Sequence, residues 1–142
     1  MKITSDENVN QAVEQMVQAI RNTDAYLEYQ KQLQKYIEQY GKEHELQYKI
    51  TVFQNGLNFL EDYKGDCDLI FMDIYLNELN GIDIVRKIRQ MDSKVMIVFL
   101  TTSKEYIFEA APFHFFDYIL KPFESTQIFH VLDDALALLP EQ

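Results

Sequence analysis

The stretch DLIFMDIYL, residues 68–76, is a run of buried-type side chains that is interrupted by an aspartate, Asp73. Apolar residues at every position, rather than at every second one, are typical of a strand covered on both faces, as in a parallel sheet. Burying a carboxylate at the end of such a strand is costly unless a partner compensates for it. We therefore expect residues 68–73 to form a core strand, and we expect another part of the chain to bring a partner to Asp73.

Strand-like and helix-like stretches alternate through the rest of the chain. Two further apolar runs are VMIVFLT (95–101) and FFDYIL (115–120), and KITVF (49–53) is rich in β-branched and aromatic residues. Helical spacing of apolar residues occurs between these runs, in residues 57–63, 82–91, 104–111 and 125–139. Strands that alternate with helices form a parallel sheet with helices on both faces. The predicted fold class is therefore α/β, a doubly wound parallel sheet.

Composition and charge restrict the possible partners. The chain has 142 residues, 47% of them hydrophobic, and a formal net charge of −10. No run of Lys or Arg is present, which argues against direct binding to nucleic acid or to an anionic membrane surface. No apolar run approaches the ~20 residues of a membrane span. The single cysteine, Cys67, fits a reducing compartment, so we expect a cytoplasmic protein.

Three polar residues close the three long apolar runs. Asp73 ends the first run, Thr101 ends the second, and Lys121 follows the third. Ligands of open α/β sheets bind outside the carboxyl ends of the strands, so we expect these side chains to converge. An ammonium group beside Asp73 would offset the cost of burying its carboxylate, and Thr101 could donate a hydrogen bond.

The segments DLIFMDIYLNELNGIDI, VMIVFLTTS and FDYILKPF resemble the receiver domain of two-component response regulators, a flavodoxin-like fold. The resemblance extends from about residue 25 to residue 139. The amino-acid sequences of these segments are most similar to those of receivers that precede LytTR-type DNA-binding domains. Three motifs in the right order at strand ends make the match specific.

The resemblance implies a role for several residues. Asp73 resembles the phosphoacceptor, Thr101 the switch hydroxyl, and Lys121 the lysine that pairs with the phosphoryl group. Tyr118 matches the aromatic residue that changes rotamer with the switch. The backbone carbonyl of Tyr75, together with Asp73, is expected to bind Mg²⁺, which prefers oxygen ligands.

The resemblance also implies partners. A sensor histidine kinase is expected to phosphorylate Asp73, and changed protein–protein contacts, including a possible homodimer, would carry the signal. No enzyme activity is expected beyond self-phosphotransfer and autodephosphorylation at Asp73. Contact with DNA is expected only through an output domain, which is absent from this chain. The Lys121–Pro122 bond is similar to one that is usually cis.

The position of the first strand is left open by the sequence, together with the acidic pair that binds Mg²⁺ in receivers. A gapless extension upstream of residue 25 places the strand at Val17–Ile20. The acidic positions would then hold residues 21–23, Arg-Asn-Thr, with Asp24 nearby. An arginine there would repel a dication.

Two other placements remain. A strand at Met1–Ser5 would supply Asp6 and Glu7 as the acidic pair. Alternatively, residues 8–42 form a helical hairpin without a first strand, because apolar residues recur there at helical spacing. As a working division we take residues 1–15 as a helical N-terminal extension and residues 16–142 as the receiver-like domain.

Two alternative functions are considered. A phosphorylation-incompetent pseudo-receiver would act as an interaction or dimerisation module, and the Arg-Asn-Thr segment motivates this reading. A small α/β enzyme or nucleotide binder is disfavoured, because the chain has only 4 glycines and no glycine-rich phosphate loop.

Overall fold

The computed structural model describes residues 2–4, 24–51, 56–74 and 80–139 of the chain. These residues form five strands and five α-helices, and a short 3₁₀ turn (Ala111–Phe113) follows the fourth helix. In chain order the elements are β1 (Lys2–Thr4), α1 (Asp24–Glu43), β2 (Lys49–Thr51), α2 (Gly56–Asp62), β3 (Leu69–Asp73), α3 (Gly81–Met91), β4 (Met96–Thr101), α4 (Ile107–Ala110), β5 (Asp117–Leu120) and α5 (Ser125–Leu138).

The strands form one sheet in the order β2-β1-β3-β4-β5. Strands β3 and β4 pair in parallel over five residues, with Leu69 opposite Met96 and Asp73 opposite Leu100. Strand β5 pairs in parallel with β4, and Leu120 lies opposite Thr101. The carboxyl ends of these three strands therefore lie at the same edge of the sheet.

Strand β1 runs in the opposite direction to its two neighbours. It pairs antiparallel with β2, where Ile3 lies opposite Ile50, and antiparallel with β3, where Ile3 lies opposite Leu69. Because both pairings are antiparallel, β2 and β3 run in the same direction. The sheet is thus parallel in all its described strands except β1.

Helices cover both faces of the sheet. Every residue of β3 is buried, and alternate residues of the strand face opposite layers. One layer joins the strands to α1 and α5, and its buried members include Leu33, Ile37, Leu69, Phe71, Val98, Leu100, Ile128 and Val131. The other layer joins the strands to α2 and α3, and its buried members include Phe59, Ile70, Met72, Val85, Ile88, Ile97 and Phe99.

The predicted fold class is confirmed, with one reversed strand. The three apolar runs are the parallel strands β3, β4 and β5, and the predicted helices between them are present. The predicted helix at 104–111 is shorter, because α4 covers only Ile107–Ala110 and Pro112 lies in the following 3₁₀ turn. None of the helices in the described ranges is both long and apolar enough to cross a bilayer.

The N-terminal expectations have different outcomes. Residues 2–4 form a strand rather than part of a helical extension, at the place predicted for Met1–Ser5. They lie between β2 and β3 in the sheet. In the alternative placement of the first strand, Val17–Ile20 would have formed it. Residues 5–23 lie outside the described part of the chain, so the helix predicted there and the division at residue 15 stay predictions.

Candidate functional site

The carboxyl edge of β3, β4 and β5 brings together the three predicted polar residues. Asp73 and Thr101 are the last residues of β3 and β4, and Lys121 directly follows β5. The N–H of Lys121 donates to the carbonyl of Thr101 at 2.7 Å, which extends the pairing of β4 and β5 beyond the last strand residue. The Lys121–Pro122 peptide is cis, as the resemblance implied.

Asp73 and Lys121 form a nearly buried ion pair. The Lys121 Nζ donates to Asp73 Oδ1 at 2.9 Å and to Oδ2 at 2.8 Å. The side chains of Lys121 and Asp73 are only 5% and 9% exposed. An ammonium group that contacts both oxygens compensates for the desolvation of the carboxylate. The partner predicted for Asp73 is therefore Lys121.

Gly81 allows the start of α3 to approach Asp73 closely. A Cβ atom at Gly81 would lie 2.0 Å from the carbonyl oxygen of Asp73, which is an impossible contact. The N–H of Gly81 donates to the carbonyl of Ile74 at 2.7 Å. Asn80 caps the helix, because its Oδ1 accepts from the N–H of Ile82 at 2.7 Å. The backbone that carries Asp73 is thus held by a residue that can only be glycine.

Thr101 and Tyr118 are linked through the backbone of Ser103. Thr101 is 1% exposed, and its Oγ1 accepts from the N–H of Ser103 at 3.3 Å. The Tyr118 hydroxyl donates to the carbonyl of Ser103 at 2.7 Å. Tyr118 is half-buried, and its ring lies near Phe99 and Phe115. A movement of the Thr101 hydroxyl would therefore disturb a residue that also holds Tyr118.

Sequence reasoning missed two residues at this edge of the sheet. Gly81 was not singled out, although its position after Asn80 is a recognisable helix start. Tyr29 was not singled out either, and the centroid of its ring lies 5.3 Å from the Lys121 Nζ. The spacing of apolar residues along α1 predicts which face is buried, and it gives no signal that one of them covers an ammonium group.

The described residues by themselves do not fit a Mg²⁺ site. They include no group of three His, Cys, Asp or Glu side chains that could hold a metal ion. They offer the Asp73 carboxylate, and an ammonium group contacts both of its oxygens. Mg²⁺ needs several oxygen ligands in octahedral geometry.

The other predicted magnesium ligands stay predictions. Tyr75, Asp6 and Glu7 lie outside the described residues, and so does the side chain of Asp24. The direction of β1 is informative, because its carboxyl end, Thr4, lies beside the amino end of β2. Asp73 lies at the carboxyl end of β3, so a strand in this direction does not end at the Asp73 edge. Strand β1 is therefore an exception to the parallel sheet that the sequence predicts, and the assignment of Asp6 and Glu7 as the acidic pair stays a prediction.

The comparison with protein families assigns this fold to a receiver domain. The family described as response regulator receiver domain matches residues 24–133. The chain therefore belongs to the response regulator receiver domain family of two-component signalling. The match begins at the first residue of α1, so it does not include β1.

Curated relatives of the chain are named as regulatory and sensory transduction proteins. The chain is 35% identical over 102 residues to the transcriptional regulatory protein YpdB of Escherichia coli, an alignment that covers 71% of this chain and 42% of YpdB. It is 37% identical over 68 residues to the sensory transduction protein LytT of Enterococcus faecalis, covering 48% of this chain and 28% of LytT. The predicted closeness to receivers of LytTR-type regulators is confirmed. The chain spans less than half the length of these relatives.

Solved structures agree on the fold. The response regulatory domain of MrkE from Klebsiella pneumoniae has a TM-score of 0.67 and 30% identity, and the match covers 85% of this chain and 94% of that domain. The receiver domain of sensor histidine kinase PA1611 from Pseudomonas aeruginosa has a TM-score of 0.63 and 19% identity, covering 88% and 99%. That structure has a magnesium ion coordinated in its active-site cleft.

Proposed function

We propose that Asp73 is the phosphoacceptor of this receiver domain and that a sensor histidine kinase phosphorylates it. The observation that carries the proposal is the buried carboxylate of Asp73, paired through both oxygens with Lys121. The pair lies at the carboxyl edge of the sheet, where open α/β folds bind ligands. Thr101 ends the neighbouring strand and supplies a hydroxyl at the same edge.

In the proposed reaction, a carboxylate oxygen of Asp73 attacks the phosphorus of a phosphohistidine on the kinase. A bond forms between this oxygen and phosphorus, and the phosphorus–nitrogen bond breaks. The electron pair of the broken bond goes to the histidine ring, which takes up a proton. The product is an aspartyl phosphate, an acyl phosphate that water can later hydrolyse.

Lys121 has two roles in the proposal. Before the reaction, its ammonium group compensates for the burial of the Asp73 carboxylate. After the reaction, the same ammonium group can donate to phosphoryl oxygens, which are strong acceptors. Because Lys121 contacts both carboxylate oxygens, one of these contacts must be given up when an oxygen of Asp73 bonds to phosphorus.

The link through Ser103 supplies a route from the site to the surface. The Thr101 Oγ1 accepts from the N–H of Ser103, and the Tyr118 hydroxyl donates to the carbonyl of the same residue. If Thr101 turns to donate to a phosphoryl oxygen, the Ser103 backbone loses this acceptor. We propose that the segment after β4 then shifts and that Tyr118 changes rotamer with it.

We extend the proposal to the cofactor and the partners of the receiver domain. Mg²⁺ would support phosphotransfer by compensating negative charge at Asp73, provided that residues other than the described ones complete its ligand set. The output is a change in protein–protein contacts, including homodimer formation, in the cytoplasm. DNA is contacted only through an output domain of the kind that regulators carry.

The test is to incubate the protein with acetyl phosphate across a range of Mg²⁺ concentrations and to weigh it intact by mass spectrometry. We expect one phosphoryl adduct on the wild-type chain and none on Asp73→Asn. Asp68→Asn is the matched control, because it makes the same chemical change just before the other end of β3. An adduct that persists in Asp73→Asn, or no adduct on the wild-type chain, would contradict the proposal.

A second candidate function is an interaction module that does not accept a phosphoryl group. The direction of β1 favours it, because the carboxyl end of this strand does not reach the Asp73 edge. Lys121 would then act only as the ion-pair partner of Asp73. This candidate predicts no adduct at any Mg²⁺ concentration, together with an unchanged oligomeric state in Asp73→Asn. An adduct that depends on Asp73 excludes it.

A further inference from the structure

Lys121 has an aromatic neighbour in addition to its carboxylate partner. Its Nζ lies 5.3 Å from the centroid of the Tyr29 ring and 2.8–2.9 Å from the two oxygens of Asp73. Tyr29 lies on α1, whereas Asp73 and Lys121 come from the ends of β3 and β5. The ammonium group therefore lies between a carboxylate and the face of a ring that a different element supplies.

The burial of Lys121 makes the contact with Tyr29 significant. A cation within about 6 Å of a ring centroid is attracted by the negative face of the ring, and this attraction grows when water is excluded. The Lys121 side chain is only 5% exposed. A ring in this position removes water from the ammonium group and at the same time replaces part of the lost solvation.

The Tyr29 ring is held in place by its surroundings. It lies 5.9 Å from the ring of Phe123, which is 3% exposed and belongs to the same loop as Lys121. The helix that carries Tyr29 is anchored one and two turns later by Leu33 and Ile37, which are 2% and 3% exposed. Both partners of the contact are thus fixed to buried parts of the fold.

We infer that Tyr29 is a positioning residue, which holds the Lys121 ammonium group against Asp73 through the face of its ring. The inference deepens the proposed function in one respect. If Asp73 accepts a phosphoryl group, Tyr29 also sets how firmly Lys121 binds that group, because a lysine held in place loses less conformational freedom on binding.

The first test is spectroscopic and does not require phosphorylation. Because the Lys121 Nζ lies over the Tyr29 ring, 5.3 Å from its centroid, we expect ring current to move the NMR signals of the adjacent ε-methylene protons upfield. We expect Tyr29→Leu to move these signals downfield and Tyr29→Phe to leave them near the wild-type position. Tyr36→Leu is the matched control, because Tyr36 lies on the same helix and its ring centroid lies 6.2 Å from that of Phe123. Unchanged signals in Tyr29→Leu, or equal changes in Tyr36→Leu, would overturn the inference.

The second test measures binding of beryllofluoride, which imitates a phosphoryl group on a carboxylate, in the presence of Mg²⁺. We expect Tyr29→Leu to weaken the affinity about threefold to tenfold and Tyr29→Phe to keep it. Equal affinities for Tyr29→Leu and the wild-type chain would overturn the role in ligand binding. A wild-type chain that binds no beryllofluoride would contradict the proposed function, and the methylene signals would still decide whether Tyr29 positions Lys121.

Discussion

Strand β3 has a different kind of neighbour on each side. On one side β4 pairs with it in parallel along its whole length, and β5 continues the same arrangement. On the other side the three-residue β1 pairs antiparallel with β3 and with β2. The side with β4 and β5 carries the polar residues of the site at its carboxyl edge. On the other side, the carboxyl end of β1 lies at the opposite edge of the sheet.

The two kinds of neighbour contribute differently to the specification of this fold. Strands β3 and β4 are buried on both faces, and their side chains belong to both apolar layers. Long apolar runs specify a direction and a register, because a shift by one residue exchanges the two layers. A strand of three residues is held mainly by backbone hydrogen bonds, which antiparallel pairing satisfies equally well. The short strand can therefore be reversed while the site remains in place.

The largest expected effect tests the side that carries the site. Lys121→Met removes the partner of the buried Asp73 carboxylate, and we expect the free energy of unfolding to fall by about 3–5 kcal/mol. Urea unfolding at neutral pH measures the change. The double variant Asp73→Asn/Lys121→Met is expected to recover much of the loss, because it leaves no unpaired charge. If Lys121→Met is as stable as the wild-type chain, the ion pair between Asp73 and Lys121 does not stabilise this side of the sheet.

An intermediate effect is expected on the side with the reversed strand. Ile3→Pro removes a backbone N–H in the middle of β1, and proline is poorly tolerated in a strand with neighbours on both sides. We expect a loss of about 1–3 kcal/mol in the free energy of unfolding, as for a buried hydrogen bond that is left unmade. Amide hydrogen exchange should show reduced protection in β2 and unchanged protection in β4.

Ile3→Val is the control for this variant, because it keeps the N–H group and the branched side chain. If Ile3→Pro and Ile3→Val have the same stability and the same exchange pattern, β1 does not hold β2 to the sheet. If amide protection is also lost in β4, the two sides of β3 unfold together. The two sides would then differ in strand direction and not in stability.

The sequence was sufficient to predict the side that carries the site. Two uninterrupted apolar runs and a third ending at Leu120 predict the parallel strands, and chain order places Asp73 and Lys121 at one edge. The ion pair follows from the placement of both residues at this edge, because a buried carboxylate needs a partner. Gly81 and Tyr29 could not be found in this way, since their importance depends on close approaches to the Asp73 carbonyl and to the Lys121 ammonium group, which the spacing of apolar residues does not report.

The direction of β1 could not be predicted, for a physical reason. The segment Lys2–Thr4 has two β-branched residues but no long apolar pattern, so its side chains do not specify which way it runs. The alternation of strands and helices predicted a parallel sheet without an exception, and the family match begins only at residue 24. What specifies the direction of a strand this short is its backbone pairing, which periodicity does not report.

The smallest expected effect concerns the amino end of β4, opposite the site. Asp92 follows α3, and its carboxylate accepts from the Tyr63 hydroxyl at 2.6 Å and from the N–H groups of Lys94 and Val95 at 2.9 and 3.2 Å. Burial alone would raise the pKa of the Asp92 carboxyl, but these hydrogen bonds hold the pKa below its ordinary value. We expect Asp92→Asn to lower the free energy of unfolding at neutral pH by about 1–2 kcal/mol.

The pH dependence of this effect separates the charge of Asp92 from its packing. A carboxyl whose pKa is lower in the folded chain than in the unfolded one stabilises the fold above the unfolded pKa of about 3.9, and this stability is lost as the pH falls through the folded pKa. Urea unfolding at steps from neutral pH down to about pH 3 should therefore bring the wild-type chain and Asp92→Asn closer together. Asp62→Asn, an exposed residue at the end of α2, is the control and should follow the wild-type curve throughout. A gap between the wild-type chain and Asp92→Asn that stays constant at all pH values would show that Asp92 stabilises the fold through its hydrogen bonds and packing and not through its charge.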